Sequence, residues 1–265
     1  MAESDRGRLR QIFDEDAELY DQARPAYPAA LFQDLAELAG VRPGCRVLEI
    51  GCGTGQATLP LAEMGCEIVA VELGTEMARV ARRNLARFPL VEVVTAAFED
   101  WPLPARPFDL VFCATAFHWI DPAVRVVKSA AALRPGGTLA TVTTHHVLGG
   151  TVDFFVAVQD CYERFDPATP PGLRLSPAAA IPVDGAEIEE SPRFGPPVFR
   201  RHEWDVPYTT ARYVDVLSTY SNHRDLPPDA LAGLLGCVAS LIDGRHDGHV
   251  TKRYMAELRV ARRLP

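Results

Sequence analysis

The stretch "VLEIGCGTGQ", Val47 to Gln56, decides how the rest of the chain is read. An apolar run meets an acid, Glu49, and three glycines then alternate with Cys52 and Thr54 as Gly51-Cys52-Gly53-Thr54-Gly55. The run predicts a buried strand over residues 46–52, followed by a helix from Gly55 to about Met64. Missing side chains let a backbone come close to a ligand. The start of the following helix offers N–H groups with no partner inside the helix.

Strands and helices alternate outward from this loop. "CEIVAVEL" (66–73), "VEVVTAAF" (91–98), "FDLVFCAT" (108–115) and "TLATVTTHH" (138–146) read as further strands. Helices are expected at 75–88, with Thr75 as N-cap, and at 121–133, ending in the turn "RPGG". This rhythm implies parallel βαβ units in an α/β fold, with the sheet covered on both faces. Residues 8–40 read as helical, interrupted by a bend at "YDQARPAYP" (20–28). Past Gly150 a helix is expected at 151–165. Residues 166–197 then hold eight prolines and read as a lid or insertion. "VFRRHEWDV" (198–206) and "MAELRVARR" (255–263) read as two more strands, with helices between them. The expected organisation is a helical cap (1–44), a core (45–150), a helix and lid (151–197) and a C-terminal completion of the sheet (198–265).

Bulk properties narrow the function. The net charge of −8 repels a phosphate backbone, which argues against nucleic acid as a partner. The one dense basic stretch, "KRYMAELRVARR" (252–263), reads as a solvated face. No run is long and apolar enough for a membrane span, and the charged N-terminus lacks a signal-peptide core, so the expected location is cytoplasmic. The six cysteines agree with that. They are scattered without metal-ligand spacing, and Cys52, Cys66 and Cys113 read as reduced, half-buried thiols.

Two nucleotide-type ligands suit the glycine loop, a dinucleotide and S-adenosylmethionine. Glu72 ends the second strand, 21 residues after Gly51, where a carboxylate accepts ribose hydroxyls in either case. The dinucleotide fingerprint G-x-G-x-x-G requires a third glycine at position 56, which is Gln56. A pyrophosphate is also repelled by the neighbouring Glu49, whereas the ammonium of an amino acid is attracted. The ligand indicated has a ribose and a cation, and S-adenosylmethionine has both.

The ordered set "VLEIGCGTGQ", "VAVELGTEMARVA", "FEDWPL", "FDLVFCATAFHWID" and "LRPGGTLA" resembles the successive motifs of class I S-adenosylmethionine-dependent methyltransferases. "AFHWID" (116–121) is similar to the small-molecule subgroup that includes trans-aconitate methyltransferase-like proteins. The resemblance implies a Rossmann-like, doubly wound, seven-stranded and mostly parallel sheet. It also implies roles. Glu49, Gly51, Cys52, Gly53, Thr54 and Gly55 would cradle the methionine part, and Glu72 would hold the ribose. Leu73 would pack on the adenine, with Met77 and Ala114 also lining the cofactor. Phe98 and Glu99 would meet the adenine edge. Ala97 stands where many relatives have aspartate, which leaves the adenine amine to Glu99 or to backbone carbonyls. Tyr20 and Arg24 would close over the cofactor.

Methyl transfer is an in-line displacement, so alignment is the main catalytic task. A carboxylate acceptor needs no base, whereas a phenol, alcohol or ammonium does. His118, Tyr20 and His145 are the candidates for proton transfer or positioning. Phe117, His118, Trp119, His146 and Tyr220 are the candidate substrate contacts. An oxygen acceptor on a small molecule is the leading expectation. Nitrogen or carbon methylation of a natural product and a non-catalytic cofactor-binding role remain as alternatives.

Overall fold

The computed structural model describes residues 13–265, so the part of the expected helical cap before residue 13 lies outside the described residues. A seven-stranded mixed sheet has the order β3-β2-β1-β4-β5-β7-β6. Its strands are β1 (Arg46–Ile50), β2 (Glu67–Glu72), β3 (Val91–Thr95), β4 (Phe108–Ala114), β5 (Leu133–Gly150), β6 (Val198–Thr209) and β7 (His249–Arg262). β1 pairs in parallel with β2, with Leu48 opposite Val69, and with β4, with Leu48 opposite Val111. β2 continues in parallel to β3, and β4 to β5. The chain therefore runs outward from β1 in one direction through β2 and β3, and in the other through β4 and β5. The order reverses between β1 and β4, which puts the glycine loop at the switch point where open α/β sheets hold ligands.

The chain divides into two compact units. The larger comprises residues 26–144, 183–202 and 256–265. Its helices are α1 (Ala29–Ala39), α2 (Thr58–Glu63), α3 (Thr75–Asn84) and α4 (Pro122–Ala132). Every residue of β1 is buried, as a strand covered on both faces must be. Leu48, Phe108, Val111, Leu133 and Leu139 form the centre of its core, with Trp101 packed at the edge as a loop anchor. α1 ends where Gly40 turns left-handed, at φ +69°. Asp121 caps α4 by accepting the Ala123 N–H at 2.9 Å.

The smaller unit comprises residues up to Pro25, 145–182 and 203–255. It contains a short helix at Ala17–Ala23 and helices at Val152–Ala157, Gln159–Phe165, Thr210–Ser218, Ser221–Arg224 and Pro228–Arg245. Its core is rich in aromatic residues: Phe154, Phe155, Tyr208, Tyr213, Tyr220 and Tyr254 pack with Val216, Leu217, Leu234 and Val238. Tyr213, Val216 and Leu217 are buried on the helix Thr210–Ser218, and Tyr220, just past its end, is buried in the same cluster. The proline-rich region has only a 3-10 turn at Ala178–Ala180 and a helical turn at Ala186–Glu189.

Several expectations are corrected. The bend starts at Arg24 rather than Tyr20, because Tyr20 lies inside the helix Ala17–Ala23. Arg24 precedes a proline and is extended, at φ −66° and ψ 136°. Thr75 is the first helical residue, and Gly74 holds the N-cap position without a side-chain cap. α2 begins at Thr58 because Gly55, at φ +92°, cannot enter a helix. "RPGG" is an irregularity inside β5 rather than a terminating turn: Phe108 pairs with Leu133, but Leu110 pairs with Thr138. The basic stretch 252–263 is largely buried, since β7 lies between β5 and β6. Within the larger unit, Arg201 donates to buried Glu257 at 2.6 and 2.8 Å.

The cysteines divide into two groups. Cys45, Cys52, Cys66 and Cys113 are thiols, but fully rather than half buried. Cys161 and Cys237 are joined by a disulfide between Gln159–Phe165 and Pro228–Arg245. That bond removes the support the cysteines lent to a reducing location. Among the described residues no helix is long and apolar enough to cross a membrane. The disulfide closes a loop of 76 residues. Non-reducing peptide mapping should recover residues 161 and 237 in one linked species. The Cys161→Ser, Cys237→Ser double variant should lose about 2–4 kcal/mol in denaturant unfolding. Equal stability and unlinked peptides would show that the bond does not form.

Candidate active site

The larger unit builds the glycine loop from the end of β1. Gly51, Gly53 and Gly55 all adopt left-handed backbone, at φ +68°, +57° and +92°. The need is steric as well as conformational at Gly51, where an added Cβ would lie 2.6 Å from the Ala116 Cβ. Glu72, at the end of β2, reaches back to this loop. Its carboxylate accepts the Gly53 N–H at 2.8 Å and the Gly74 N–H at 2.9 Å, tying the ends of β1 and β2 together.

Beneath the loop lies Glu49, only 1% exposed. Its Oε2 has no hydrogen-bond partner among the described residues, and neither does the buried hydroxyl of Thr54. Burial pushes the Glu49 carboxyl up to about 7, opposed in part by the nearby Thr58 hydroxyl and reinforced by the Glu72 charge. A buried carboxylate oxygen without a donor is costly, and a cationic ligand group would supply the missing donor. An adenosyl amino acid carries such a group, so the donor set fits it. Burial, and after it the charges of Glu72 and Glu49, holds the Cys52 thiol far from ionisation.

Around the loop, Met77 and Phe98 are buried, Leu73 is exposed, and Ala97 and Ala114 are half-buried. The Glu99 carboxylate accepts the Asp121 N–H at 3.2 Å, and its carbonyl accepts Lys128 at 2.8 Å. This couples the third-strand motif to the start of α4. Phe117, His118 and Trp119 form a single 3-10 turn just past β4. Phe117 is buried under the Arg125 guanidinium, 5.2 Å away. His118 is exposed, with its ring 4.7 Å from that of Trp119. Desolvation by the surrounding loop, together with Arg125, lowers its pKa and keeps the imidazole neutral at pH 7.

Reading the sequence missed Thr115, the residue after β4. It is β-branched yet sits at φ +55°, a costly conformation of the sort concentrated at functional sites. Its Oγ1 lies 2.8 Å from the Tyr27 hydroxyl and 3.1 Å from Thr144 Oγ1. Spacing and composition carry no signal for a strained backbone, so nothing marked it.

Tyr20, Arg24, His145, His146 and Tyr220 belong to the smaller unit. Arg24 stacks over Tyr20 at 4.9 Å and Tyr220 at 4.4 Å, and donates to the Thr219 carbonyl at 2.9 Å. His146 Nε2 lies 3.4 Å from the Tyr220 hydroxyl. His145 is half-buried on β5. The larger unit thus brings together the predicted loop, Glu72, Phe98 and His118, and the smaller unit brings together Tyr20, Arg24, His146 and Tyr220.

An open α/β sheet with an anion-lined glycine loop at its switch point defines a Rossmann-like cofactor-binding core. Residues 48–141 match the methyltransferase domain family model. The likeness to a methyltransferase domain is carried by this segment, within the larger unit. An uncharacterised methyltransferase of Mycobacterium bovis is 38% identical over 123 residues, covering 46% of this chain and 48% of that protein. The malonyl-[acyl-carrier protein] O-methyltransferase of Enterobacter lignolyticus is 38% identical over 99 residues, covering 37% and 38%. The chain thus spans about half the length, or less, of these curated relatives. A solved structure from Anaeromyxobacter dehalogenans, titled as a type II methyltransferase, superposes with a TM-score of 0.60 at 27% identity. It covers 91% of this chain and 99% of that one.

The raised Glu49 pKa has a stability consequence in the ligand-free protein. The folded state holds this proton more tightly than the unfolded chain, where the value is 4.5. Its contribution is complete below about pH 4.5 and is lost as pH rises through about 7. Relative to Glu49→Gln, the parent should therefore lose stability across that window, by about 3 kcal/mol. Urea unfolding at several pH values measures this, and a constant difference between the two proteins would mean an ordinary carboxyl.

Proposed function

We propose that the protein is an S-adenosylmethionine-dependent methyltransferase that delivers the methyl group to an oxygen, carboxylate or hydroxyl, of a small molecule. The observation carrying this reading is the buried Glu49 oxygen without a donor, set under three left-handed glycines at the switch point. The bound cofactor supplies an electrophilic methyl group on a sulfonium. Glu49 accepts from its ammonium, and the loop glycines let the backbone approach its amino-acid part. Glu72 accepts two backbone N–H groups and offers its remaining acceptor capacity to a ribose. Phe98, Leu73 and Met77 give the adenine an apolar wall.

A small molecule suits the net charge of −8, which opposes nucleic acid. The likeness to an enzyme named as an O-methyltransferase supports oxygen as the acceptor. His118 follows β4 on the same edge as the glycine loop. A neutral imidazole there acts as proton acceptor for a hydroxyl, or positions a carboxylate that needs no base.

Calorimetric titration with S-adenosylhomocysteine and, separately, with NADH tests the cofactor. Micromolar binding of the former alone is expected, and binding of NADH alone would overturn the reading. Glu49→Gln should weaken S-adenosylhomocysteine at least tenfold. The parent's affinity should rise from pH 6 to 8 as Glu49 ionises, and the variant's should stay flat. His118→Ala should cut methyl transfer from radiolabelled cofactor at least a hundredfold with cofactor affinity unchanged. Equal turnover would remove His118 from the chemistry, and the same assay on Tyr20→Phe and His145→Ala decides their roles.

A further inference from the structure

Lys252, on β7 within the smaller unit, is 4% exposed. Its Nζ lies 5.4–5.8 Å from the centres of four rings, those of Phe155, Tyr213, Tyr220 and Tyr254. Among the described residues no carboxylate pairs with it. The polar group that meets it is the Tyr220 hydroxyl, and the nearby ionic charge is Arg24, of the same sign. An ammonium taken out of water without a counter-ion is costly. Facing rings return part of that cost and leave the balance unmet. An apolar side chain of similar volume would fill the space without this cost.

The cluster is not sealed. His146 is exposed, although its ring centre is 5.4 Å from that of Tyr220 and 5.5 Å from that of Tyr254. His146, the Tyr220 hydroxyl and Lys252 therefore form a polar line from solvent to the buried ammonium. Arg24, 4.4 Å over the Tyr220 ring, adds a second cation. Desolvation by the packed rings, and then the charges of Lys252 and Arg24, disfavour protonation of His146.

We infer that Lys252, with Tyr220, His146 and Arg24, forms a binding site for the anionic group of an organic ligand whose apolar body lies against the aromatic walls. A cationic ligand is excluded, because the ring cage is already filled by the chain's own ammonium and faced by Arg24. The anionic group is either a carboxylate or a phosphate monoester, since both accept charge-assisted hydrogen bonds from an ammonium and a hydroxyl.

The test is calorimetric titration with benzoate, phenyl phosphate, benzamide and benzylamine, with and without saturating S-adenosylhomocysteine. At least one of the two anions should bind tenfold or more tightly than neutral benzamide, and benzylamine should not bind. Preference between benzoate and phenyl phosphate identifies the anionic group. Lys252→Met should weaken the preferred anion at least tenfold, while Lys252→Arg retains most of the affinity. Both should bind S-adenosylhomocysteine within twofold of the parent. If Lys252→Met does not fold, Tyr220→Phe, which removes only a hydroxyl, should give a several-fold loss. Failure of either anion to bind the parent, benzamide binding as well as the anions, or unchanged anion affinity in the folded variants would overturn the site. Loss of the methyltransferase reading shows separately, as a parent that does not bind S-adenosylhomocysteine whatever the anions do.

Discussion

The arrangement of the larger unit depends on a buried carboxylate. Glu49 sits in the central strand, is almost inaccessible, and has an oxygen without a donor. An apolar side chain there would avoid the cost of burying a carboxylate oxygen without a donor. Retaining an acid requires the surroundings to hold a proton on it or to await a cation, and its raised pKa of about 7 balances those two states near neutrality. The three left-handed glycines follow from the same constraint. A side chain would collide with Ala116 at Gly51 and crowd Leu85 at Gly55.

Topology determines what can gather around that acid. Because strand order reverses between β1 and β4, the loops leaving β1 and β4 diverge to opposite faces of the sheet and open a crevice. Glu72 arrives from β2 and fixes the loop through two backbone N–H groups rather than through another side chain. Backbone donors hold a carboxylate without adding rotamer freedom, so the loop and the acid are positioned before any ligand arrives. The strained Thr115 at the end of β4 is held by Tyr27 and Thr144, a polar chain that contributes the same kind of order on the other side of the crevice.

Much of the larger unit was legible in the sequence because its strands are buried on both faces and so appear as uninterrupted apolar runs. "VLEIGC" and "FDLVFCAT" are such runs, and the glycines between elements need no side-chain partner to be recognised. The smaller unit was less legible. In β7 a buried lysine, a buried glutamate and two half-buried arginines give a basic-looking segment that pattern reading takes for surface. Glu257 is acceptable in the interior only because Arg201, 56 residues earlier, donates twice to it. A pairing over that distance leaves no local periodicity. The Cys161–Cys237 bond was hidden for the same reason, since two cysteines 76 residues apart show nothing until their helices pack. Left-handed Thr115 is a consequence of tertiary restraint, which no composition or spacing encodes.

The two units carry opposite electrostatic characters, and this bears on their division of labour. The loop of the larger unit is lined by Glu49 and Glu72, which suits a ligand group with positive charge. The aromatic cluster of the smaller unit contains Lys252 and Arg24, with His146 and His223 beside them, and its cations pair with rings rather than with acids. Each cluster would repel a ligand group of its own sign. The buried lysine without a carboxylate beside it keeps the second cluster positive, and a resident acid at that place would neutralise it.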